Sequence, residues 1–221
     1  MSEIQIGDHD RAYIARPPSG SGPGLLLLHA WWGLNPFFTQ QADRLAAAGF
    51  VVLAPDLNYG ELASDVAAAN DLMKRRDNER IAGTVLAACD ALRGEASVTP
   101  GPLGVLGFSM GAAWTIWLAA ERPTDVGAAA LFYGSGSADW RVARAAILGH
   151  FAETDEWEPL EDVQAMEQDM RQAGRDVVFH IYPGTSHWFV ESDRPEYNPE
   201  AAELAWQRTI VFLNAQLRAA G

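Results

Sequence analysis

The segment LGFSMGA, residues 106–112, sets Ser109 midway between Gly107 and Gly111. A serine hydroxyl becomes a nucleophile only beside a base that takes its proton, and that base needs a third group to orient it. Imidazole is the side chain best suited to such proton traffic near neutral pH. The chain offers His9, His29, His150, His180 and His187. A run of carboxylates, Glu153, Asp155, Glu156 and Glu158, offers orienting acids. Attack on an acyl carbon is the chemistry these residue types would perform together. The competing reading is a tight glycine-rich turn with a solvent-facing serine.

The flanking elements favour the first reading. LGVLGF, 103–108, is a continuous apolar run and reads as a strand buried on both faces. GAAWTIWLAAERP, 111–123, reads as a helix closed by Pro123. Ser109 therefore falls on a strand-to-helix turn, the setting of a nucleophile elbow, where small neighbours are needed because the backbone turns sharply. The rest of the chain alternates in the same way. RAYIARP, LLLLHA (25–30), FVVLAPDL (50–57), GAAALFYG, AAILGHFA and VVFHIY (177–182) read as strands. TQQADRLAAAGF, most of 58–95 as two helices, PLEDVQAMEQDMRQAG (159–174) and NPEAAELAWQRTIVFLNAQL (198–217) read as helical, and SADWRVARA as loop or short helix. The expected fold is α/β, a mostly parallel, doubly wound sheet flanked by helices, in a single domain over 1–221. SGSGPG, 19–24, precedes a strand and lacks a following Gly-Lys-Ser/Thr, so it is a loop and no phosphate cradle.

A serine elbow on this kind of sheet takes its partners in the order Ser, acid, His. His9 and His29 precede the serine, His150 precedes the best acids, and His180 sits inside a strand. His187, in YPGTSHWF beyond the last strand, is the expected base. Asp155, on the loop before the Pro159 helix, is the favoured orienter, with Glu153 as its rival. The oxyanion of a tetrahedral intermediate would be held by the backbone N–H of Met110, after the nucleophile, and of Trp31, after an earlier strand. Trp32, Phe37, Phe108, Tyr133, Trp188 and Phe189 flank these positions and are candidates for an apolar pocket.

Four blocks in this order resemble the dienelactone hydrolase family of α/β-hydrolases: LLLLHAWWGLNPFFTQQADRLAAAGFVVLAPDL, VLGFSMGA, GHFAETDEWEP and YPGTSHWF. The resemblance covers nearly the whole chain and puts the family's aspartate on Asp155. It implies an α/β-hydrolase fold and hydrolysis of a small-molecule ester or lactone without metal or organic cofactor. The namesake enzyme uses cysteine where this chain has Ser109. A glutamate beside its nucleophile falls on Ala30 here, and a carboxylate-binding arginine falls on Glu191. Arg75, Arg76 and Arg80 lie in roughly the region of its other arginine. The implied substrate is therefore less negatively charged than dienelactone. Acyl transfer or thioester cleavage by the same trio is one alternative, and a catalytically silent ligand-binding member of the fold is another.

Composition sets the remaining bounds. The chain has 221 residues, 48% of them hydrophobic, and a net charge of −13. Such an acidic chain lacks the basic face that nucleic acid or an anionic membrane requires. The lone cysteine, Cys89, excludes an intrachain disulfide and reads as a buried structural thiol. The N-terminal stretch has neither a basic start nor an apolar run, and GLLLLHAWWGL is too short to span a bilayer, so a soluble cytoplasmic protein is expected. DHD, 8–10, does not have convincing metal-ligand spacing.

Overall fold

The computed structural model describes residues 2–7 and 10–218; Asp8 and His9 of the DHD segment lie outside them. Strands β1 (Ser2–Ile6), β2 (Asp10–Ala15), β3 (Gly24–Leu28) and β4 (Val51–Pro55) form the first half of the sheet, with α1 (Pro36–Ala47) between β3 and β4. Helices α2 (Val66–Arg75) and α3 (Asn78–Gly94) follow. Strand β5 (Leu103–Phe108) leads into α4 (Met110–Glu121), then β6 (Val126–Phe132) and β7 (Ala146–Ala152). Helix α5 (Leu160–Gln172), β8 (Val177–Tyr182) and α6 (Pro199–Arg218) complete the order.

The strands make one sheet in the order β1-β2-β4-β3-β5-β6-β7-β8. β1 and β2 pair antiparallel, as do β2 and β4, and the remaining pairs are parallel. This is the α/β-hydrolase arrangement. The apolar runs of β3, β4, β5 and β7 are buried at every position because helices cover both faces. Helix starts are set by local chemistry. Asn35 accepts the Phe38 N–H at 3.3 Å ahead of Pro36, and Asp77 accepts the N–H groups of Glu79 and Arg80 at the start of α3.

Three local details go beyond the sequence reading. The first strand, β1, is absent from that reading, although exposed Glu3 and Gln5 alternate with half-buried Ile4 and buried Ile6; the run is too short to stand out. The 58–95 stretch is helical only from Val66 onward. The Asp56 carboxylate accepts the N–H groups of Asn58 and Gly60, at 3.0 and 2.6 Å, and holds the preceding residues in turns. SADWRVARA is loop rather than helix. Cys89 is buried, and burial pushes its thiol up to about 11. Among the described residues no helix is long and apolar enough to cross a membrane.

Candidate active site

Ser109 alone separates β5 from α4. Its backbone stands at φ 50° and ψ −112°, a strained conformation that costs a non-glycine residue on the order of 1–3 kcal/mol. The surrounding pairing enforces it: the Ser109 N–H donates to Phe132 O at 2.8 Å. The flanking glycines answer to space. A Cβ on Gly107 would meet the Gly111 carbonyl, and one on Gly111 would meet the Leu28 carbonyl. The first turn of α4 thus presses directly on the end of β3, and a side chain at either position would force them apart.

His187 lies in the segment after β8. Its Nε2 is 3.0 Å from Ser109 Oγ, and its Nδ1 is 2.7 Å from Asp155 Oδ2. Asp155 lies just past β7, and its Oδ1 accepts the N–H groups of Trp157 and Glu158 at 2.9 and 3.1 Å. The side chains of His187 and Asp155 are only 5% and 1% exposed. Glu153 turns away, accepting the Gly184 N–H at 2.9 Å, and so ties the acid loop to the histidine loop instead. His150 and His29 serve the core, and His180 is half-buried on β8. His150 bridges Tyr182 Oη and Thr209 Oγ1, and His29 Nε2 accepts the Leu57 N–H. Burial holds both imidazoles below their usual pKa, keeping them neutral.

A cavity of about 490 Å³ opens beside Ser109 and His187. Trp31, Met110 and Trp188 line it near the serine. Trp114 and Trp117 of α4, Met73 of α2 and Trp157 of the acid loop form the outer walls. Its polar lining comes from Asn70, Arg76, Asn78, Ser135 and Glu158, and burial raises the Glu158 carboxyl. The other aromatic candidates lie in the core. Phe108 stacks on Phe132 at 4.7 Å with Phe37 beside it, and Phe189 packs on Tyr182. Trp32 is covered by the Arg194 guanidinium at 3.7 Å. Tyr133 is buried, its ring edge-on to His187 at 4.9 Å. Sequence reasoning passed over Trp114 and Trp117, although Met110, Ala113, Trp114 and Trp117 form one helical stripe running away from the serine.

The dienelactone hydrolase family model matches residues 11–217. The chain belongs to the dienelactone hydrolase family. Similar relatives include the protein usf of Aquifex pyrophilus, 30% identical with 94% of each chain covered. Another is a "probable 2-oxo-3-(5-oxofuran-2-ylidene)propanoate lactonase" of a Bradyrhizobium species, 31% identical with 98% of this chain and 95% of that one covered. Among solved structures, a dienelactone hydrolase-like promiscuous phosphotriesterase, P91, from metagenomic libraries superposes with a TM-score of 0.86 over 98% of each chain at 20% identity. The family makes this dienelactone hydrolase relative a hydrolase of ester or lactone bonds.

Glu191 is a carboxyl in an apolar interior. Its carboxyl is fully buried, and Oε1 accepts the Tyr133 hydroxyl at 2.9 Å. Burial pushes it up to about 8; the Tyr133 hydroxyl and Arg194 oppose that rise, and Asp193 adds to it. The Tyr133 phenol is raised as well, first by burial and then by Glu191. A residue held this way points into the protein and away from the cavity, so it is not an arginine-like substrate ligand. Among the described residues no group of three or more His, Cys, Asp or Glu side chains is arranged to hold a metal ion.

Proposed function

We propose that the protein is a serine hydrolase of carboxylic esters or lactones, with Ser109 as nucleophile, His187 as general base and acid, and Asp155 as the orienting carboxylate. The observation that carries this reading is the relay of 3.0 and 2.7 Å contacts from Ser109 Oγ through His187 to Asp155, assembled from three separate loops. With the Nδ1 proton directed at Asp155, Nε2 is free to accept the serine proton. Ser109 Oγ then adds to the acyl carbon, and the carbonyl oxygen takes up the negative charge. The backbone N–H of Met110, at the N-terminus of α4, and that of Trp31 are assigned to that oxyanion. Collapse expels the alkoxide, which takes the proton from His187, and leaves an acyl-serine. Water, deprotonated by the same imidazole, attacks the acyl-serine and restores the hydroxyl. A lactone follows the same steps, with the leaving alkoxide retained in the product.

Burst-phase hydrolysis of p-nitrophenyl acetate and butyrate tests the assignment. Ser109→Ala and His187→Ala are each expected to lose about 10³-fold or more in kcat. A fluorophosphonate probe should label the wild type at Ser109 and leave Ser109→Ala unlabelled. Retention of turnover by Ser109→Ala overturns the reading.

A further inference from the structure

We propose that the groove between α2 and α4 is a subsite for an aromatic ring, so that the preferred substrates are esters carrying an aryl group. The inference rests on Ser109 being the attacking residue, because the groove is defined as the space leading away from it. Five of the chain's eight tryptophans, Trp31, Trp114, Trp117, Trp157 and Trp188, line this one cavity. Apolar packing alone explains a buried tryptophan, yet these are not all buried. Trp157 is 42% exposed at the mouth, and Trp114 and Trp117 are half-buried. Large apolar surface left open beside a nucleophile is the mark of a site awaiting a ligand.

The ring geometry favours a flat partner over a round one. Trp114 and Trp117 meet edge to face, with centroids 5.3 Å apart and planes at 84°. Trp157 meets Trp31 in the same manner at 5.1 Å and 71°. Edge-to-face pairs of this kind accept a further aromatic ring by the same quadrupole complementarity that holds them together. Met73 on the α2 wall and Met110 beside the serine add thioether contacts, which favour aromatic neighbours over aliphatic ones. The cavity, about 490 Å³, is in the size range that encloses a small aryl ester.

The test uses pairs of equal size. Methyl phenylacetate is compared with methyl cyclohexylacetate, and benzyl acetate with cyclohexylmethyl acetate, so the ring is tried on each side of the ester. Binding to Ser109→Ala protein is followed by tryptophan fluorescence and calorimetry. In at least one pair the aryl ester should bind about tenfold tighter, or ~1.4 kcal/mol. That ratio should fall below about threefold when Trp114→Leu or Trp117→Leu is added. Equal affinities within both pairs overturn the proposal, as does a preference that both leucine variants leave intact. Turnover of methyl phenylacetate by the wild type against Ser109→Ala is read separately. An aryl preference in binding with no Ser109-dependent turnover keeps the subsite and removes the catalytic reading. Ser109-dependent turnover with no preference does the reverse.

Discussion

Glu191 is a fully buried carboxyl whose protonation is tied to folding. A carboxyl raised to about 8 in the folded chain and near 4.5 when unfolded binds its proton more tightly in the native state. Between those values the folded protein holds a proton the unfolded chain has lost, so stability declines as pH rises through this window, by about 1.4 kcal/mol per pH unit at most. Glu191→Gln keeps an oxygen for the Tyr133 hydroxyl and abolishes the titration. Urea midpoints at pH 5, 6.5 and 8 should show the variant gaining on the wild type as pH increases; a constant gap would mean that Glu191 is already ionised at pH 5. The opposite sign applies to His29 and His150, whose lowered pKa values make the fold more stable as pH rises through the unfolded histidine range. Comparing the two proteins at each pH cancels that contribution.

At the scale of elements, the elbow links β5, α4 and β3 through contacts that leave no room for a Cβ. Gly111→Ala is expected to cost about 2–3 kcal/mol or more and to displace Ser109, so the urea midpoint and esterase activity should both drop. A variant with normal stability and normal turnover would refute the account of that glycine. This elbow was legible in the sequence because its strand, glycines and helix lie next to one another in the chain. The Ser109, Asp155 and His187 trio was legible through chain order, and the three side chains do meet at hydrogen-bond distance. Asp155 was favoured over Glu153 by its place in the loop and by the family resemblance; the reason Glu153 turns aside, its capture of the Gly184 N–H, was not visible. The cavity walls were hidden for a related reason. Trp114 looks like core until α2, anchored by Ala69 as its one buried residue, is seen across the groove from it. The alternation of β1, Glu3 and Gln5 outward against Ile4 and Ile6, was too short to register as a strand.

Over the whole molecule, pairing runs unbroken from β1 to β8. The last helix is tied back to the first: Arg218 donates to the carbonyls of Ala48 and Gly49 at 3.2 and 3.0 Å, and Arg44 pairs with Glu203. We propose that a chain so closed unfolds as one cooperative unit. Scanning calorimetry should give a single transition with equal calorimetric and van't Hoff enthalpies, on the order of 150 kcal/mol near 60 °C. Two resolved transitions would divide the chain into separate units.

Asp155 and Trp157 share one short loop, and the Trp157 N–H is itself a ligand of the Asp155 carboxylate. Any insertion or deletion that reshapes this wall of the cavity therefore also turns the imidazole. Asn70, Met73 and Arg76, across the groove, have no such tie to the relay. Substitutions at Asn70, Met73 and Arg76 are therefore expected to alter the groove without moving the Asp155–His187 contact, whereas changes of length between Asp155 and Trp157 are expected to disturb both.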